Sequence, residues 1–347
     1  MFGLQSASIN SVILHKVGNK TANEGIKISK SELALNDDLK EILKRYFLTA
    51  FKSEEFFNLS HESESKLNEI YSFASEIFEN PECLYEQSKS ITKHLYEQST
   101  HPKVKEGEFY VVYFNNAIIE GEQIDLIGLF KSENKDTFLK VSQLKDNFDI
   151  NFEDGININK LDKGCLIFNK EKEKGYLVSI VDNSSKGNDA QYWKDDFLNV
   201  KPRTDNFFNT NNILTLCKNF VLDKLPEEFE VSKADQADLL NKSVKYFQKN
   251  DTFSMNNFTD EVIEDPKVIA SFNNFRREFS DDFDIPIEDE FGISSQALKK
   301  QQRVFKSVIK LDKNFHIYIH GNKELIEKGY DDATGMHYYK MFFREEN

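Results

Sequence analysis

Three residues in the middle of the chain have the types and spacing of a metal-dependent nuclease site. Asp125 is followed by Glu133-x-Lys135 in strand-like sequence. Nucleases of the restriction type use carboxylates to hold Mg²⁺ and a lysine to position the attacking water. Charged residues are so frequent here that the same acid-x-base spacing also occurs at Asp38 and Glu64. Two interpretations stay open: a nuclease-like enzyme using these three residues, or a chance match.

Two histidines near the carboxyl end, His316 and His320 in the segment FHIYIH, are a second candidate for metal chemistry. On a helix they would lie one turn apart and could share a metal ion. The alternation of the segment favours a strand instead, where the two are a metal-free pair on one face.

Other catalytic signatures are missing from the sequence. It contains no phosphate-binding glycine loop, no dinucleotide fingerprint, no nucleophile elbow and no zinc-protease helix. Its cysteines, Cys83, Cys165 and Cys217, show neither a disulfide framework nor zinc-ligand spacing, so we expect small core residues. We therefore predict no catalytic residue, no metal and no cofactor.

The strongest charge pattern lies in the last third of the chain. Residues 278–290 contain seven acids and no base, whereas residues 299–313 contain six bases against Asp312, a local charge of +5. The bases, which we call the basic block, are Lys299, Lys300, Arg303, Lys306, Lys310 and Lys313. The two segments are either solvated faces that partly neutralise each other, or a DNA-binding patch that the acidic segment screens until a partner displaces it.

The overall charge restricts the partners. With 45 basic and 59 acidic residues the 347-residue chain carries −14. A surface of this sign repels polyanions, so contact with nucleic acid must come from a local basic patch or through a protein partner. The 31 Phe and 13 Tyr fall mostly at core spacing, which favours packing over base stacking.

Hydrophobic periodicity predicts the elements of the first two thirds. Apolar residues recur at steps of three and four over 37–57, 64–79 and 81–98, which predicts three helices. Five strand-like segments with short turns then follow between residues 101 and 181 and predict an antiparallel sheet. They are FYVVYF, IDLIGLF, DTFLKV, GCLIF and GYLVSIV. Two more helices are predicted over 190–198 and 210–225.

Leu225-Pro226 interrupts a finished helix, so we predict domains at 1–225 and 226–347. The second domain contains helical patterns over 233–248, 256–263 and 266–279, then strands over 315–320 and 336–343. The predicted fold class is α+β, with N-terminal helices packed on a mostly antiparallel sheet and a smaller helix-plus-strand C-terminal domain.

The order of several segments identifies a family. The first three are I-x-x-x-I-x-H, which ends at His15, YF-x-x-x-F, which ends at Phe51, and S-x-x-I-x-x-x-L, which ends at Leu95. A polar linker containing His101, Lys105 and Gly107 comes next. The segments continue with GLFKSE at 128–133, FLKV at 138–141, GCLIF at 164–168, YWKDDFL at 192–198 and G-Y-D-x-x-T-G-x-x-Y at 329–338. With these motifs the chain resembles, over its full length, the bacterial nucleoid-associated protein family typified by NdpA.

The resemblance implies a non-enzymatic protein of the cytoplasm and nucleoid, recovered with the bacterial chromosome. It implies DNA as a partner, reached directly or through topoisomerase or another nucleoid protein. A protein-interaction scaffold without DNA contact stays open as an alternative. An opening without a signal peptide and without any apolar run long enough to span a membrane agrees with that location. The family supplies no motif for DNA contact, so the basic block is assigned to DNA binding from charge alone.

Overall fold

The computed structural model describes residues 2–184, 192–302, 308–311, 314–318 and 325–345. The chain divides into two compact units, Met1–Arg203 and Thr204–Asn347. This division lies before the sequence-based boundary at Leu225-Pro226, because residues 206–219 form a helix whose apolar side chains pack in the core of the second unit. The proline itself opens a short helix over Leu225–Glu228 rather than a linker.

The first unit is built on an antiparallel sheet. Its strands are β1 (Phe2–Gly3), β2 (Ser8–Val17), β3 (Ile26–Lys27), β4 (Phe57–Leu59), β5 (Gly107–Ile119), β6 (Glu122–Ser132), β7 (Asp136–Leu144), β8 (Asn147–Gly155), β9 (Lys163–Phe168), β10 (Leu177–Asp182) and β11 (Val200–Pro202). Nine strands of the described chain join one sheet in the order β11-β4-β10-β9-β6-β5-β2-β3, with β1 beside β5. Strands β7 and β8 form a separate two-stranded hairpin.

Helices cover both faces of this sheet. They are α1 (Asp37–Leu48), α2 (Glu69–Glu79) and α3 (Leu84–Gln98). Alternate side chains of β5 point to opposite faces, so Val111 packs with α2 and α3 while Val112 packs with α1. Burial on both faces explains why the strands read as solid apolar runs rather than alternating ones.

Helix α1 is shorter than its sequence pattern predicts. The Asn36 side chain accepts a hydrogen bond from the Leu39 backbone N–H and begins the helix, which ends at Leu48. Beyond the helix, Phe51 is still buried in the same core, and the polar residues 52–55 then lead to β4, where Phe57 and Leu59 are buried on alternate positions. With only three residues, β4 carries no periodic signal in the sequence.

The second unit is mainly helical, with small strand pairs. Its helices are α4 (Asn206–Asn219), α5 (Leu225–Glu228), α6 (Lys233–Lys249), α7 (Met255–Phe258), α8 (Pro266–Phe283) and α9 (Ser295–Gln302). Its strand pairs are β12 (Thr252–Ser254) with β13 (Glu290–Gly292), β14 (Val308–Leu311) with β15 (Phe315–Tyr318), and β16 (Ile326–Asp331) with β17 (Met336–Met341). Its core is rich in phenylalanine, with Phe253 stacked between Phe247 and Phe291. The predicted α+β class is confirmed.

Candidate functional site

The structure separates Asp125 from the rest of the nuclease-like set. Asp125 lies near the start of β6 and Glu133 directly after its end, so the two are roughly 25 Å apart along the strand. The Asp125 carboxylate accepts hydrogen bonds of 3.0 Å from Tyr113 Oη and Asn115 Nδ2. Burial, together with this carboxylate, raises the pKa of Tyr113, so the phenol stays a neutral donor.

Glu133 and Lys135 also have different partners. Lys135 Nζ lies 2.9 Å from Glu108 Oε1 on the surface, whereas the Glu133 side chain is only 4% exposed. Within the described residues, no group of three His, Cys, Asp or Glu side chains is placed to hold a metal ion. The nuclease hypothesis therefore has no geometric support.

Glu133 belongs instead to a cluster that we call the buried lysine network. Its members are Lys131, Glu133, Lys163, Asp182 and Tyr192. Lys131 and Lys163 are directly opposite on β6 and β9, and both are fully buried. Two like charges in this position repel, so each needs a carboxylate nearby.

The network supplies those partners at hydrogen-bond distance. Lys131 Nζ lies 3.1 Å from Glu133 Oε1 and donates to the Lys105 carbonyl at 2.7 Å. Lys163 Nζ binds both Asp182 oxygens at 2.8 and 2.9 Å. The Tyr192 hydroxyl donates to Glu133 at 2.9 Å, and its ring lies 5.7 and 5.1 Å from the two ammonium groups.

Burial sets the protonation of the network. Loss of water lowers the pKa of Lys131, and the Glu133 carboxylate opposes that shift. Burial and the same carboxylate raise the pKa of Tyr192 well above its ordinary value, so the tyrosine acts as a donor. Because the two lysines, Glu133 and Tyr192 are closed off from solvent and Asp182, 23% exposed, is paired with Lys163, the arrangement suits holding strands together rather than binding a macromolecule.

A neighbouring carboxylate fixes the turn after β6. Asp162 accepts hydrogen bonds from the backbone N–H groups of Glu133 and Asn134 at 2.7 and 2.9 Å, and from Asn134 Nδ2 at 2.7 Å.

The motifs GLFKSE and YWKDDFL, which carried the family resemblance, meet in the buried lysine network, where Tyr192 donates a hydrogen bond to Glu133. The sequence motifs alone do not predict this network, and the one local signal is a lysine at the end of each of two apolar strand runs, Lys131 and Lys163.

The strand motif ending at His15 also has a structural basis. His15 Nδ1 accepts a hydrogen bond of 3.1 Å from the Ser29 backbone N–H, which leaves the proton on Nε2 to donate to Ser88 Oγ at 2.9 Å. Burial, assisted by the charge of Lys89, lowers the pKa of His15 to about 4. The histidine is therefore a neutral link between β2 and α3.

The last family motif forms the β16–β17 hairpin. Asp331 accepts from the Ala333 N–H at 3.0 Å and from Thr334 Oγ1 at 2.7 Å, and Gly335 adopts φ +66°. The Tyr338 ring lies across Gly329, where an added Cβ would come within 2.2 Å of it. This motif specifies a turn and a cross-strand contact, not a catalytic group.

Helix α9 displays the first residues of the basic block. Ala297 and Leu298 are buried, and Lys299 and Lys300 are exposed in the last turn. Lys300 Nζ lies 5.5 Å from the centre of the Phe207 ring. Cations at a helix carboxyl end also interact favourably with the helix dipole.

The rest of the basic block leads into the β14–β15 hairpin. Lys310 is in β14, opposite His316 of β15. Arg303, Lys306, Lys313 and His320 lie outside the described residues.

The acidic segment runs from the end of α8 to β13. Its carboxylates are exposed, and Asp289 Oδ1 lies 2.7 Å from Arg276 Nη1 of α8. Arg276 also donates to the Ile287 carbonyl at 2.6 Å, which fastens this segment back onto its own helix.

Exposed aromatic side chains adjoin the basic block. Phe315 and Tyr318 of β15 are 65% and 57% exposed. The expectation that aromatic residues form the core holds for Phe47, Phe51 and Tyr71, which are buried, but not for this hairpin. A two-stranded hairpin has too little interior to bury every aromatic side chain that it carries.

The motif residues that build these packing and turn contacts belong to a sequence of the bacterial nucleoid-associated protein class. A model of that class matches residues 13–335. The match spans most of the chain, which therefore belongs to the family described as nucleoid-associated protein YejK. A comparison with curated proteins finds no match. Within the described residues, no helix has the length and apolar character to cross a membrane.

Proposed function

We propose that this chain binds chromosomal DNA directly through the basic block and catalyses no reaction on it. Its family supports a nucleoid-associated role. One observation carries the direct contact: Lys299 and Lys300 are exposed in the last turn of α9, and the block continues into a hairpin that exposes Phe315 and Tyr318. Lysines supply phosphate contacts, and aromatic rings supply sequence-tolerant stacking.

The charge of the remaining chain limits the strength of this contact. Residues 299–313 carry +5 within a chain of −14, so the rest carries −19. A localised patch on an anionic protein gives weak binding that falls steeply with salt. Binding should also be independent of sequence, because phosphate contacts carry no base information.

Charge reversal tests the proposal. The variant carrying Lys299→Glu, Lys300→Glu, Arg303→Glu and Lys306→Glu should lose at least roughly tenfold in affinity for a fluorescent duplex at low salt. A matched control reverses four exposed lysines of the first unit: Lys52→Glu, Lys66→Glu, Lys93→Glu and Lys174→Glu. It changes the net charge equally and should weaken binding much less.

Two results would overturn the direct contact. Equal losses in both variants would mean that net charge, not the block, controls affinity. An absence of duplex binding by the nuclease-treated wild type at low salt would leave indirect association, through topoisomerase or another nucleoid protein, as the remaining route.

A further inference from the structure

The β7–β8 hairpin presents an apolar face to solvent. Directly opposed residues of antiparallel strands share a face, and the register pairs Leu139 with Phe152, Val141 with Ile150, and Gln143 with Phe148. The five apolar residues, which we call the arm face, are Leu139, Val141, Phe148, Ile150 and Phe152. Each is between 62% and 75% exposed.

The opposite face of the hairpin is largely polar. Lys140 Nζ lies 3.1 Å from Glu153 Oε1, and Asn151 Nδ2 donates to Asp149 Oδ2 at 2.8 Å. Strands that alternate in this way normally bury their apolar face against another layer. The arm face therefore has the sequence pattern of a buried surface, although its side chains are exposed to solvent.

The size of the arm face matches an interface. A side chain of this size has about 150–200 Å² of surface. Multiplied by the exposed fractions of the five residues, this gives roughly 600 Å² of exposed apolar surface on each copy. Two such faces together reach about 1,200 Å², the lower end of specific protein–protein interfaces. A two-stranded hairpin is marginally stable alone in water, so covering this face would also stabilise the arm.

The charges of the arm favour a protein occupant over nucleic acid. Residues 136–155 contain five acids and two lysines, a net charge of −3. Phosphate groups would be repelled there. The face itself is uncharged across Leu139, Val141, Ile150 and Phe152, so two identical faces could meet around a two-fold axis without opposing like charges.

We propose that the arm faces of two copies of this chain pack against each other and form a homodimer. Val141 and Ile150 lie at the centre of the face, close to the two-fold axis. The contact uses the first unit alone, whereas the proposed DNA contact uses the second.

Sedimentation of the full chain at micromolar concentrations tests the dimer. The wild type should sediment as a dimer, and Ile150→Asp should raise the dissociation constant by at least roughly tenfold, since it places a charge in an apolar contact. Leu144→Asp is the matched control, because Leu144 is 56% exposed at the polar face of the same hairpin. A monomeric wild type, or equal effects of the two variants, would overturn the proposal.

Cross-linking gives a second test that does not depend on a destabilising charge. Val141→Cys and Ser142→Cys are adjacent in β7 and point to opposite faces. A short bismaleimide should join two copies of the Val141→Cys protein efficiently, and two copies of the Ser142→Cys protein no better than the wild type. Equal yields from the two variants, or capture of a different protein in place of a second copy, would contradict the homodimer.

Discussion

Single residues in this chain show how buried polar groups hold an apolar sheet in register. Lys131 and Lys163 face each other from adjacent strands and are neutralised by Glu133 and Asp182. Tyr192 joins the two pairs through its hydroxyl and its ring. Since every partner is specific in position, a shift of one strand by one residue would leave buried charges unpaired.

Removal of one partner from the network should be costly. We expect Lys131→Met to lower the free energy of unfolding by about 3–5 kcal/mol, because Glu133 would remain buried without its cation. Lys135→Met is the control: its exposed pair with Glu108 should be worth less than about 1 kcal/mol. Urea titration measures both. Equal losses would mean that the network does not stabilise the sheet.

His15 should make stability depend on pH. The pKa of His15 falls from 6.5 in the unfolded chain to about 4 in the folded chain. At pH 7 the histidine is mostly neutral in both states, so its contribution to the free energy of unfolding is near its maximum there. Between pH 6.5 and 4 the unfolded chain binds a proton that the native state excludes, and stability falls. The free energy of unfolding of the wild type, measured relative to that of His15→Gln, should fall by about 2 kcal/mol from pH 7 to pH 5. A constant difference would contradict this assignment.

At the scale of elements, periodicity predicted most of the first unit. Helices α2 and α3 and strands β5, β6, β9 and β10 follow from apolar spacing. The short strand β4 has three residues, too few for a periodic signal, whereas β8 was missed even though Phe148, Ile150 and Phe152 alternate regularly. The buried lysine network joins Lys131 to Tyr192 across 61 residues, a contact that local spacing cannot reveal.

The β14–β15 hairpin should distinguish single-stranded from duplex DNA. Stacking on an exposed ring is worth about 1–3 kcal/mol for each base, and unstacked bases are accessible in single strands. We expect Phe315→Ser with Tyr318→Ser to weaken binding of a single-stranded oligonucleotide and to leave duplex binding nearly unchanged, as measured by fluorescence anisotropy. An equal loss for both ligands would indicate a structural effect of the hairpin instead.

At the scale of the whole molecule, the proposed DNA contact depends on where the charges lie. An anionic chain with one basic segment orients that segment toward the phosphates and keeps the remaining surface away. The structure shows exposed Lys299 and Lys300 at the start of this segment, on α9. A homodimer through the arm face would carry two such segments and bind more tightly by avidity.

The salt dependence of duplex binding tests the central claim most directly. The logarithm of the association constant should fall linearly with the logarithm of salt concentration, with a slope of about −0.9 for each phosphate neutralised. For the wild type we predict a slope of roughly −3 to −5 for each basic block, and a slope near zero after the four-residue reversal in that block. A wild-type slope near zero, or an unchanged slope in the variant, would contradict direct DNA binding by the basic block.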